Sequence, residues 1–245
     1  MELLQDVETR KSSCGIKSAL IHDELDLLRS LVDLDQHRLI IELGCGAAQL
    51  SRQLLARYPA SEVTGLEVDE RQHAKNLHKP EPRLHFVQAP AQAIPFEAER
   101  FELALMLKSL HHVPLDQMHL ALAEVHRVLK PEGLLYISEP VFAGAHNELM
   151  RLFHDEEQVR AAALRAVQAA VLSGAWKQES ETLFEMPVHY RDFAEFEERM
   201  LGVTYADHRL DAITLQAVSA RFESHMTADG AHFVRPMRVN LLRKR

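Results

Sequence analysis

Residues 40–50 read Ile-Ile-Glu-Leu-Gly-Cys-Gly-Ala-Ala-Gln-Leu, an apolar run that enters a glycine turn and leaves as a helix. Gly44 and Gly46 let a backbone turn tightly and approach a ligand, while a helix N-terminus offers free N–H groups. A nicotinamide dinucleotide is a poor fit. Its fingerprint needs Gly or Ala where Gln49 stands, and Glu42 sits badly beside a pyrophosphate. Glu42 suits a cationic ligand with an ammonium group, or serves as a helix-dipole partner. Glu67 lies 21 residues beyond Gly46, where an acid that holds ribose hydroxyls is expected; otherwise it is a solvated strand-end acid. Asp69 reads as the N-cap of the next helix, and Cys45 as a small buried filler. His111 and His112 follow a strand and face the same edge, as cofactor or substrate contacts or as structural histidines.

The elements that must position these residues alternate. Strands are expected over 38–43, 62–67, 83–88, 102–107 and 133–138, most of them compact apolar runs, as in strands covered on both faces. Helices are expected over 19–32, 48–57, 69–77 and 115–129, the last carrying Met118, Leu122, Val125 and Leu129 on one face before Pro131 and Gly133 stop it. Such alternation predicts βαβ units and a parallel, doubly wound sheet, with ligands at the carboxyl ends of its strands. After Pro140 the pattern changes. Residues 147–173 read as helix broken near His154, with Asp155 and Gln158 as a capping pair and Val159, Ala163, Val167 and Val171 on one face. Strands over 182–189 and 233–242 and helices over 192–200 and 211–222 complete one α/β domain with a helical insertion. Trp176, Tyr190, Tyr205 and Phe233 are core residues or pocket walls.

Composition narrows the classes. The 245 residues carry 28 basic and 36 acidic side chains, a net charge of −8, and neither half is basic, which argues against nucleic-acid partners. Apolar runs reach about five residues where a bilayer span needs roughly 20, and no leader pattern opens the chain, so the expectation is a cytoplasmic protein without a membrane partner. Two cysteines, Cys14 and Cys45, support neither a disulfide framework nor a thiolate zinc site. Fifteen histidines invite a metal reading, but positions 111, 112, 146, 154 and 189 match no standard ligand spacing, and no metal is expected.

Four segments in register resemble the class I S-adenosylmethionine-dependent methyltransferases, in the small-molecule, ubiquinone-biosynthesis-like branch. Glu42-Leu43-Gly44-Cys45-Gly46 resembles the first motif, and Val63-Thr64-Gly65-Leu66-Glu67 the strand that ends in the ribose acid. Residues 86–96 followed by Phe101-Glu102 resemble the loop beside the adenine. Leu110-His111-His112-Val113 and the run from Glu124 to Gly133 resemble the segment around the fourth and fifth strands. The resemblance covers roughly residues 20–140. It implies a Rossmann-like, mostly parallel seven-stranded sheet with a helical insertion after the fifth strand. It further implies S-adenosylmethionine as cofactor and S-adenosylhomocysteine as product, with Glu42, Gly44, Cys45, Gly46, Glu67, Val68, Pro90, Ala91, Gln92, Met106 and Leu107 as cofactor contacts.

Three positions depart from that pattern. Ala48 replaces a third glycine, and Glu132 stands where the family has glycine, a change expected to cost nothing in a turn. Pro90 replaces the usual acid of the adenine loop, which leaves the Ala91 N–H and Gln92.

The expected organisation is a single domain over 1–245, with an N-terminal helical cap over 1–35, a cofactor-binding core over 36–140, a lid over 146–175 and completing elements over 182–245. The lid is expected to be mobile, rich in Ala and Glu, and removable without loss of cofactor binding. The function expected is methyl transfer to a small molecule by a monomer or homodimer, with His111, His112, Glu139 and His154 as candidate catalytic groups. Two alternatives stand beside it. A cofactor-binding but inactive regulatory protein is one; a protein or nucleic-acid methyltransferase is the other, disfavoured by Met106-Leu107-Lys108-Ser109 where a base-modifying enzyme carries Asn/Asp-Pro-Pro-Tyr.

Overall fold

The structure, a computed structural model, describes residues 19–201 and 210–245. Cys14, Tyr205 and the first half of the expected 1–35 cap lie outside the described residues. The strands are β1 (Ala19–Leu20), β2 (Leu39–Leu43), β3 (Glu62–Glu67), β4 (Leu84–Gln88), β5 (Phe101–Leu107), β6 (Leu129–Pro140), β7 (Trp176–Tyr190), β8 (Met226–Thr227) and β9 (Gly230–Lys244). The helices are α1 (Glu24–Leu31), α2 (Gln49–Arg57), α3 (Glu70–Leu77), α4 (Met118–Val128), α5 (Ala145–Met150), α6 (Glu157–Leu172), α7 (Phe193–Phe196) and α8 (Ala212–Glu223).

One sheet runs β1-β7-β9-β6-β5-β2-β3-β4, with β8 paired to β9. Pairing is parallel from β6 through β4, and β9 enters antiparallel between β6 and β7. The chain winds outward from β2 to β4 and then restarts on the other side at β5, so the order reverses between β2 and β5. That reversal opens a crevice at the strand ends. Successive residues of one strand feed opposite cores. Ile40, Leu103 and Leu105 pack with α1 and α2 on one face; Ile41, Ala104 and Met106 pack with α4 and α6 on the other. This is why the central strands read as unbroken apolar runs.

Differences from the expected elements have local causes. The first helix begins at Glu24 because the Asp23 carboxylate accepts the Leu25 N–H at 3.0 Å and caps it there, leaving Ala19–Leu20 to pair with β7. The break near His154 is present between α5 and α6, with Asp155 Oδ1 accepting the Glu157 N–H at 3.0 Å. The expected 192–200 helix is a single α-turn followed by a π-turn over Glu197–Leu201. Strands β7 and β9 extend well past 182–189 and 233–242, because their polar ends pair through links such as Arg243 Nε to Glu179 Oε1 at 2.8 Å. Trp176 belongs to the main core, whereas Tyr190 and Phe233 build a separate aromatic cluster with Phe196 and Phe222. On α6, Ala163 and Val167 are buried in the main core, an anchorage that its small-residue composition does not advertise.

Glu132 also departs from expectation. Its φ of +62° is left-handed, so the side chain carries a backbone cost that glycine would avoid. Relief of about 1–2 kcal/mol, offset by about 0.5–1 kcal/mol of added chain entropy in the unfolded state, predicts a net gain for Glu132→Gly. The melting temperature should rise by roughly 2–4 °C. A scanning calorimetry trace with no rise would show that the turn is unstrained.

Candidate functional site

A cleft of about 1450 Å³ opens at the carboxyl ends of β2 through β6. Its floor is the glycine turn. Gly44 (φ +67°) and Gly46 (φ +52°) are left-handed, and Ala48 shares that conformation at φ +54°. A Cβ on Gly44 would stand 2.8 Å from the Ser109 Cβ, whereas Gly46 meets nothing within 4 Å. The turn is pinned from three sides. The Cys45 N–H donates to the Leu66 carbonyl at 2.9 Å, the Asn76 amide donates to the Gly46 carbonyl at 2.7 Å, and the Gly46 N–H donates to Glu67 Oε2 at 2.8 Å. Glu67 Oε1 accepts the Asp69 N–H at 2.8 Å, so both oxygens of this buried carboxylate are aimed by backbone.

Glu42 is buried beneath the turn and accepts a hydrogen bond from the Ser51 hydroxyl. Burial raises its carboxyl to about 7, against the lowering effect of Ser51. Cys45 is buried too, and burial pushes its thiol well above the ordinary range. Val68 is exposed at the rim. Pro90, Ala91 and Gln92 form the far wall, Met106 and Leu107 the strand end behind it. That wall is stapled from α4. The Ile94 N–H donates to Glu124 at 3.0 Å, and Arg127 donates to the carbonyls of Ile94 and Phe96 at 2.9 and 2.7 Å. Gln92 donates through Nε2 to Gln117 Oε1 at 2.8 Å.

The other end of the cleft is polar and aromatic. His111, in a 3-10 turn after β5, is buried and donates through Nδ1 to Glu139. Its Nε2 stands 3.6 Å from Glu156 Oε1. Burial alone lowers a histidine, but the two carboxylates outweigh it and raise His111 to about 9. His112 opens onto the cleft beside it, ring centroids 4.1 Å apart, and is lowered to about 4 by its surroundings and by the His111 charge. His154 Nε2 bonds Glu156 Oε1 at 2.9 Å, and Arg160 holds Glu156 Oε2 at 2.5 Å.

The cleft thus gathers Glu42, Gly44, Cys45, Gly46, Glu67, Val68, Pro90, Ala91, Gln92, Met106, Leu107, His111, His112 and His154 along its walls. Glu139 stands apart. It lies behind His111 and also accepts the Leu110 N–H at 2.9 Å, so it positions that histidine and does not line the cleft. His146 lines the cleft but is buried against Tyr190, Nε2 to Oη 2.9 Å. Sequence reasoning missed Glu156, Arg160, Ser109 and Asn147. The run Asp155-Glu156-Glu157 looks like ordinary first-turn acids of a helix, and only the approach of α6 to the 3-10 turn gives Glu156 a second role.

Residues 40–133 match a family described as a methyltransferase domain. Residues 40–133 thus carry a methyltransferase domain. Phthiotriol/phenolphthiotriol dimycocerosates methyltransferase 1 of Mycobacterium ulcerans is 30% identical over 174 residues, which cover 66% of this chain and 59% of that protein. The ubiquinone/menaquinone biosynthesis C-methyltransferase of Syntrophotalea carbinolica is 29% identical over 116 residues, 44% of this chain and 48% of the other. The chain therefore spans about half the length of these curated relatives. The YcgJ protein of Bacillus subtilis shares the fold with a TM-score of 0.62 at 16% identity, over 91% of this chain and 99% of its own. Among the described residues, no helix is long and apolar enough to cross a membrane.

Proposed function

We propose that this chain transfers a methyl group from S-adenosylmethionine to a small-molecule acceptor. The observation that carries the reading is the Glu67–Gly46 link: the strand-end acid and the glycine turn form one rigid cradle in front of open space. A buried hydroxyl supports the fit, since Ser109 Oγ lines the cleft beside Gly44 with no hydrogen-bond partner among the described residues. When bound, the cofactor supplies an activated methyl group on a sulfonium, ready for in-line displacement.

The chain's own part is to bind and orient. Glu67 would accept the ribose hydroxyls, and the main chain at Gly44–Gly46 with Glu42 beneath it would hold the amino-acid end. Ala91 would offer its N–H to the adenine. Gln92, whose amide nitrogen is already engaged, keeps a carbonyl oxygen as acceptor for the adenine amino group, and so takes over from the acid that Pro90 replaces. We assign His111, His112 and His154 to the acceptor end. Asn147 joins them, with a buried Nδ2 that has no partner among the described residues while its Oδ1 accepts from Arg160 at 2.8 Å. Relatives named for ubiquinone/menaquinone biosynthesis and for phthiotriol dimycocerosates support a small organic acceptor, and the net charge of −8 speaks against nucleic acid.

The test is calorimetry with S-adenosylmethionine, followed by S-adenosylhomocysteine release with phenolic and quinol acceptors. Glu67→Ala should lose about 1.5–3 kcal/mol per charge-assisted contact, roughly 10- to 150-fold in affinity. Unchanged affinity in a folded variant would remove Glu67 from the cofactor site. No binding by the wild-type chain would remove the proposed function.

A further inference from the structure

His111, His112 and Glu156 each present one donor atom, and these three atoms lie within 4.8 Å of one another at the inner end of the cleft. We propose that they form a binding site for one divalent first-row transition cation. The spacing admits a shared ion. His111 Nε2 and Glu156 Oε1 are 3.6 Å apart, too long for an N–H···O hydrogen bond. Two donors held about 2.1 Å from a tetrahedral ion stand roughly 3.4 Å apart, so the gap already has the width of a shared cation.

The surrounding shell is the second observation. A metal-binding imidazole usually gives its other ring nitrogen to a carboxylate, which fixes the tautomer and aims the free nitrogen. Glu139 does this for His111 Nδ1 and turns Nε2 toward Glu156. Arg160 occupies Glu156 Oε2, while Oε1 accepts from His154 Nε2 at 2.9 Å and keeps a lone pair on the His111 side. Two imidazoles and one carboxylate select a transition ion over magnesium or calcium. His112 opens onto the cleft, so coordination positions remain for an incoming oxygen donor. The methyl-transfer reading then narrows the acceptor to one whose hydroxyl or carbonyl oxygen completes the metal's coordination; this last step rests on that reading, whereas the cation site does not.

The experiment is cobalt titration of the untagged full-length chain after chelator dialysis, followed by visible absorption, with zinc as competitor. The expected result is one Co2+ per chain, displaced by zinc. Glu156→Gln and His112→Ala should each weaken binding by about tenfold or more in protein that circular dichroism shows to be folded. His189→Ala, remote from the cleft, should bind cobalt as the wild type does. Absence of the visible band in folded wild-type protein overturns the site, as does a band untouched by both substitutions. Calorimetry with S-adenosylmethionine on the same samples separates the two readings. Cofactor binding without cobalt binding defeats the cation site alone, and cobalt binding without cofactor binding defeats methyl transfer alone.

Discussion

Gly44→Val should both destabilise the protein and abolish S-adenosylmethionine binding. Two costs add at that position. A left-handed backbone costs an L-residue about 1–2 kcal/mol, and more for a β-branched one. The new Cβ would also stand 2.8 Å from the Ser109 Cβ, which is no flexible side-chain end. Overpacking of that kind costs typically 1–3 kcal/mol. Together they approach about 2–5 kcal/mol of a total stability of about 5–15 kcal/mol, a loss of roughly 5–15 °C in melting temperature. The modest loss that a lone glycine turn suggests is thus too small. Gly46→Ala is the control, because its Cβ meets nothing within 4 Å and only the backbone cost remains. Equal melting temperatures for the two variants would show that the Ser109 contact is harmless.

Replacing residues 147–173 with a short Gly/Ser linker should unfold the protein. The helical segment reads as a detachable lid in sequence, yet it buries Ala163 and Val167 in the main core and Leu149 in the aromatic cluster. Loss of Leu149 alone, as Leu149→Ala, should cost about 2–5 kcal/mol. The excision also removes the helix that packs against α4 in the main core. The check is urea unfolding followed by circular dichroism. A cooperative transition near the wild-type midpoint, with cofactor binding intact, would show that the segment is a lid after all. Glu156 and Arg160 sit at the N-terminal end of α6, so the same helix has a core-facing body and a cleft-facing tip.

Most of the region from 38 to 140 was legible because its strands are covered on both faces, and such strands leave compact apolar runs. Glu62–Glu67 was read to the residue. The edges were harder. Lys177, Gln178 and Glu179 extend β7 through cross-strand pairing, and nothing in a polar triplet reports a partner more than sixty residues away. In the site, the glycine turn and Glu67 were visible because each sits at a fixed distance along the chain. Glu156 was not, because its partners His111 and His112 come from a different turn of the chain and meet it only in space. Glu139 and His111 were both named, but their order from the cleft outward could only come from three dimensions. Glu132 was visible as a departure, and its φ was not.

The aromatic cluster of Tyr190, Phe196, Phe222 and Phe233 gives the far end of the molecule its own foundation. Tyr190 packs edge-on against Phe196 at 5.3 Å and against Phe233 at 6.1 Å, and Leu149 anchors there. The glycine turn draws nothing from it, resting on Leu66, Asn76 and Glu67 instead. Mutations that reshape one end can therefore accumulate without eroding the other. A lineage carrying this architecture is free to recut one end of the cleft while the other keeps its shape.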